Sequence, residues 1–131
     1  MQLIHATRVT SVLIIVWGLA ALFMPRQIAD LVGLAIEPGS GNGYAEIGAI
    51  HGGMSIALGA IGLFGSSGGD RNAILLSAVG VLFLALGGGR LFVMLVSSPL
   101  PAGLTGWGSF AVEILLGVAY FLAGHVADDS V

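Results

Sequence analysis

Residues 72–96 read NAILLSAVGVLFLALGGGRLFVMLV, a run whose one ionisable side chain is Arg90. A helix needs about 20 predominantly apolar residues to cross the hydrocarbon core of a bilayer. Within that core the backbone has no water to bond, so a lone spanning segment closes its own hydrogen bonds as an α-helix. The stretch is therefore read as a membrane span, and it sets the fold class for the whole chain.

Three further apolar runs lie around it. Upstream, beyond the tight polar link Ser66-Ser67-Gly68-Gly69-Asp70-Arg71, a run extends from Tyr44 to Gly65. Downstream, beyond Ser98-Pro99-Leu100-Pro101, another runs from Trp107 to Gly124. The first apolar run, Val9 to Met24, reaches spanning length when it starts near Leu3, and Pro25 and Arg26 end it. Arg8 would suit the charged start of a signal peptide, but a retained anchor is the expectation. The expected spans are 3–24, 44–65, 72–97 and 107–124, in a single domain covering 1–131.

The longest connection is 26–45. In it Ile28, Leu31, Val32 and Ala35 recur at helical spacing while Arg26, Asp30 and Glu37 are polar, a pattern that predicts a short helix lying in the interface. Pro38-Gly39-Ser40-Gly41-Asn42-Gly43 then supplies a flexible turn. His125 to Val131 form a polar tail expected to fray. The predicted fold is thus all-α: an integral membrane four-helix bundle with a short interfacial helix between the first two spans.

Composition agrees with this reading and removes several function classes. Of 131 residues, 56% are hydrophobic and 8% charged, with a mean hydropathy of +1.03. A soluble domain carries roughly a quarter charged residues, so lipid has to cover this surface. The net charge is −3, and the basic residues are Arg8, Arg26, Arg71 and Arg90. No basic face is available to neutralise phosphates, which excludes nucleic acid as a partner. Cysteine is absent, and with it disulfides, thiolate chemistry and Cys-based metal or iron–sulfur sites.

An even number of spans places both termini on one side, here called the terminal side. Tyr44 and Trp107 fall at the opposite, far boundary, where interfacial aromatics concentrate. Arg8 and Arg71 lie on the terminal side, against Arg26 and the nearby Arg90 on the far side. This balance favours the terminal side as cytoplasmic only narrowly, in a multi-pass protein of the inner (plasma) membrane. No internal repeat is evident.

Helices in lipid associate through close contact and hydrogen bonds, and most of the 22 glycines lie inside apolar runs. Gly48, Gly52, Ser55, Gly59 and Gly62 share one face of the second span. Glu113, Gly117, Tyr120 and Gly124 align on the fourth, and Ser77, Gly80 and Gly87 on the third. These small residues are read as packing positions.

The polar residues inside apolar sequence are the candidate site. Glu46 opens the second span, Arg90 sits about seven residues before the far end of the third, and Glu113 about six residues after Trp107. At 1.5 Å per residue, Arg90 and Glu113 lie on the order of 10 Å below the far surface. A lone charge at the bilayer centre costs roughly 2.5–3.5 kcal/mol on insertion scales. Pairing lowers that cost, and a guanidinium can serve two carboxylates. A Glu46/Arg90/Glu113 cluster is therefore expected. His51 follows Glu46 by five residues, roughly 140° around an α-helix, so the two are not a ready metal-ligand pair. Tyr120 shares a face with Glu113 and is expected to line a deeper part of the same cavity.

Three readings of the cluster remain open: an ion pair fixing helix order and register, a polar site at the mouth of a cavity, and Arg90 snorkelling to the far surface. Nothing marks a nucleophile elbow, and no His/Glu spacing makes a zinc site. Gly87-Gly88-Gly89-Arg90 is like a phosphate loop in composition, but lacks the preceding strand and the following Lys-Ser/Thr. No metal and no cofactor are expected.

The motifs Glu46-Ile47-Gly48-Ala49-Ile50-His51-Gly52-Gly53, Gly89-Arg90, and Glu113 early in the fourth span together resemble the DoxX/DoxD-like superfamily of small four-span bacterial membrane proteins. The likeness covers nearly the whole chain. It implies a four-helix membrane bundle with Glu46, Arg90 and Glu113 as its polar set, and a lipid or quinone as a compatible bound molecule. The thiol-linked role of some relatives does not carry over, because this chain has no cysteine.

Two functions of different class compete, with a third behind them. The leading expectation is a non-catalytic accessory or structural subunit of a larger membrane complex, contacting lipids and other subunits or copies of itself. The alternative is a binding protein or simple enzyme for a lipophilic ligand such as a quinone, isoprenoid or sterol-like molecule. The third is a proton-coupled carrier.

Overall fold

The structure, a computed structural model, describes residues 2–37, 41–67, 72–96 and 104–128. Of the expected turn at 38–43, residues 38–40 lie outside the described residues, as do the link at 68–71, the Ser98-Pro99-Leu100-Pro101 connection and the end of the tail at 129–131; Gly41, Asn42 and Gly43 are not a turn but already helical. Five helices follow one another: α1 (Gln2–Phe23), α2 (Pro25–Leu31), α3 (Gly41–Gly65), α4 (Asn72–Val96) and α5 (Leu104–Asp128). No strand occurs among the described residues. Four of these helices, α1, α3, α4 and the Trp107–Val126 part of α5, are long and apolar enough to cross a membrane.

Local chemistry sets several boundaries. Met24 caps α2 after the end of α1, and Pro25 opens it, where its missing N–H would have had no helical partner. Gly33, with φ 75°, ends α2 in the left-handed conformation that glycine adopts freely. The N–H of Gly33 then donates to the Asp30 carbonyl (3.2 Å) and that of Leu34 to the Ala29 carbonyl (2.8 Å), closing the helix in a Schellman arrangement. The connection is therefore helical only as far as Leu31. Ala35 falls beyond the helix and does not share its apolar face. Ile28 and Ala29 are buried with Ala21 and Ile47, which holds α2 against α1 and the start of α3.

α3 differs from an unbroken α-helix: Gly48–Met54 is a π-helical segment of seven residues. π turns are rare and mostly short. Here three of the seven residues, Gly48, Gly52 and Gly53, are glycines. α5 continues to Asp128, past the point where fraying was expected.

The helices pack as two antiparallel pairs, α1 with α3 and α4 with α5, brought together by small residues. A Cβ at Gly59 would meet the Ser11 carbonyl oxygen at 2.7 Å, and one at Gly18 the Gly52 carbonyl oxygen at 2.8 Å. In the other pair, a Cβ at Gly80 would lie 2.6 Å from the backbone nitrogen of Phe121, and one at Gly117 2.9 Å from that of Leu84. These are backbone-to-backbone approaches that only glycine allows. Gly48 touches only Leu22 at an ordinary 3.8 Å, and Gly88 and Gly89 face open space.

The two pairs meet at the terminal end. Gly65 seats against Leu75 and Leu76 of α4, while within the α1–α3 pair the Arg8 guanidinium donates to the Ser66 carbonyl at 2.5 Å. The main core lies on this side, with Leu58, Leu76, Val79, Phe83, Tyr120 and Ala123 buried together.

Overpacking a tight interface costs typically about 1–3 kcal/mol. Gly80→Leu is expected to lower the unfolding temperature of detergent-solubilised protein by more than Gly88→Leu does, because only Gly80 faces backbone. Equal melting temperatures for the two variants would contradict the pairing of α4 with α5.

Candidate functional site

Arg90 on α4 and Glu113 on α5 form a bidentate ion pair. Nε donates to Oε2 at 2.9 Å and Nη2 donates to Oε1 at 2.7 Å. Two parallel N–H···O bonds fix angle as well as distance and make this the strong form of such a pair. The approach is possible because Gly87, one turn before Arg90, carries no side chain. A Cβ there would meet Ile114 Cδ1 at 2.8 Å and Glu113 Cβ at 3.4 Å. The Glu113 side chain is 15% exposed and that of Arg90 36%, so the acidic partner is largely covered while about a third of the basic one stays open.

Glu46 does not join them. It is exposed on α3, and among the described residues the ion pair is Arg90–Glu113 alone. The expected three-residue cluster is corrected to a pair. The cause is lateral: common depth does not bring α3 alongside Arg90 here, because a cleft separates the two helix pairs toward the far end.

That cleft has a volume of about 800 Å³. All four long helices line it, and Leu31 and Val32 contribute to its wall. Its surface is mainly apolar, from residues such as Leu13, Leu58, Phe83 and Leu116. The polar groups on it are Thr10, His51, Ser55, Arg90, Ser109 and Glu113. His51 sits within the π segment, half-buried, its ring edge-on to Trp17 at 6.4 Å and 77°. Ser55, expected as a packing residue, instead lines the cleft from one turn further along α3.

Tyr120 departs from its expected place. It is fully buried and is not part of the cleft wall. Its ring stacks on Phe83 at 6.1 Å, behind the wall. Its hydroxyl lies 2.6 Å from Ser11 Oγ, donates to the Thr7 carbonyl at 3.0 Å and accepts from Thr10 Oγ1 at 3.1 Å. Every described hydrogen bond between α1 and α5 involves this phenol. Its role is to tie the two helix pairs together at the terminal end, leaving them apart beyond it. The hydroxyls of Thr7, Thr10 and Ser11 were the sequence signal for this: three polar groups on neighbouring turns of an otherwise apolar span.

Geometry of this kind defines a class, a small multi-pass membrane protein whose helix pairs enclose an apolar cleft with an ion pair on its wall. No family model, no curated protein and no solved structure matches the chain, so the resemblance to the DoxX/DoxD-like superfamily gains no support from comparison.

Neighbouring partners in one pair couple by about 0.5–3 kcal/mol in double-mutant cycles. Arg90→Gln and Glu113→Gln are expected to destabilise the protein separately, and the double variant by less than their sum, when unfolding is followed in detergent. Strict additivity would show that the pair contributes nothing to holding α4 on α5.

Proposed function

We propose that the protein binds a lipophilic molecule in the cleft between its helix pairs. The observation that carries this reading is the cleft itself. Small-molecule sites are concave, mostly apolar hollows of about 300–1,000 Å³ with a few placed polar groups, and this one has both the size and the composition. A subunit that used its charges only for assembly would be expected to close them off. Here the Arg90 side chain keeps 36% of its surface open and contributes to the cleft wall. The accessory-subunit reading therefore gives way to the binding reading.

In this account α2 lies in the interface at the far end, with Leu31 and Val32 turned to the cleft. The ligand comes from the bilayer, its apolar part along Leu13 and Leu116 and its head toward His51 and Arg90. Quinones and sterol-like lipids are the classes that the resemblance to DoxX/DoxD-like proteins implies, and isoprenoids share their chemistry. The protein acts as a binder rather than a catalyst, since the cleft offers hydroxyls without an activating base–orienter arrangement of the kind nucleophilic catalysis uses.

Native mass spectrometry after mild extraction tests the proposal. A retained lipid-sized adduct is expected on the wild-type protein, and its loss in Leu116→Trp, which fills the cleft. A bare mass for wild type under all extraction conditions, or an adduct unaffected by the tryptophan, would remove the reading.

A further inference from the structure

The charge balance of the cleft defines which head group it accepts. The ionisable groups lining it are Arg90, Glu113 and His51. Both carboxylate oxygens of Glu113 already accept from Arg90, so the pair is electrically neutral and Glu113 is committed as an acceptor. A guanidinium carries five N–H donors. Two of them go to Glu113, which leaves three for another acceptor. The serine hydroxyls on the wall, Ser55 and Ser109, add further groups able to donate.

We infer that the cleft selects uncharged amphiphiles whose head presents a hydrogen-bond acceptor, such as a carbonyl or ester oxygen, and discriminates against anionic lipids. The inference rests on the cleft being a ligand site and specifies the chemistry of its ligand. An uncharged carbonyl takes the free guanidinium donors and leaves the pair intact. A carboxylate head would bring a second anion beside Glu113 and leave one net negative charge in an apolar space, a cost that mutual attraction no longer offsets. To bind well it would have to take Arg90 away from Glu113, stranding the covered carboxylate. The selectivity therefore belongs to Glu113, which cancels the charge of Arg90, as much as to Arg90 itself.

Palmitate and its methyl ester, both brominated along the chain, separate these cases because they differ only in head-group charge. Trp17 lines the cleft, and the other of the two tryptophans is Trp107. A Trp107→Phe background thus leaves Trp17 as the sole tryptophan, excited selectively at the red edge of its absorption and quenched when a brominated chain occupies the cleft. Titrations are run at alkaline pH, where the acid is ionised and an ordinary imidazole is uncharged.

The ester is expected to bind about tenfold more tightly than the carboxylate, a difference equivalent to 1.4 kcal/mol. In Glu113→Gln the uncompensated guanidinium is expected to reverse that order. In the neutral double variant Arg90→Gln/Glu113→Gln the preference for the ester is expected to return, which keeps the test decisive if the single variant unfolds. Equal or tighter binding of palmitate by wild type, or an unchanged order in a folded Glu113→Gln, would overturn the inference while leaving the cleft as a binding site. Absence of quenching by either compound would instead refute the binding reading, and this inference with it.

Discussion

One interaction organises the far half of the molecule: two charges inside apolar helices, joined by two hydrogen bonds. An ionised side chain in hydrocarbon is expensive whichever scale is used, and neither Arg90 nor Glu113 would sit at its depth alone. Their union fixes the register of α4 on α5, because a bidentate fork tolerates little sliding. The glycines along the same seam complete the arrangement. Gly80, Gly87, Gly117 and Gly124 remove the side chains that would hold the two backbones apart. Attraction and steric permission thus act at successive turns of one interface.

The opening between the helix pairs follows from where their ties are placed. At the terminal end, Tyr120 spends its hydroxyl on Thr7, Thr10 and Ser11, and Gly65 seats against Leu75 and Leu76. Beyond this knot α1 and α5 have no described hydrogen bond, and the space between them is the cleft. Hydrogen bonds between membrane helices average about 0.6 kcal/mol each in measured cases, so several around one phenol make a useful but modest clasp. The π turn adds a local adjustment on the opposite wall: it carries His51 where the imidazole meets Trp17.

Much of the architecture was legible in the sequence because membranes restrict the possibilities. Apolar length gave the spans, and alternation of direction put Arg90 and Glu113 at one depth. Small-residue spacing marked Gly52, Gly59, Gly80 and Gly117 as contact positions, since close approach demands missing side chains. Depth, however, does not specify which helices are neighbours. Glu46 has a suitable depth but an exposed side chain on α3, and no pattern in the chain reveals that α3 stands off from Arg90 at that level. The π segment was equally hidden, because a run of glycines allows it without requiring it. Tyr120 was placed on the correct face, yet its partners were missed: the Thr10 and Ser11 hydroxyls and the Thr7 carbonyl of α1 lie 110, 109 and 113 residues away in sequence.

A density map of the protein in lipid nanodiscs addresses the account most directly, because it views pair and cleft together. The account predicts Arg90 forked onto Glu113 and elongated density between α1 and α5, running from the guanidinium toward Leu13 and Leu116. Helices α1 and α5 closed upon each other with that space filled by side chains, or a guanidinium turned outward to the acyl chains away from Glu113, would contradict it.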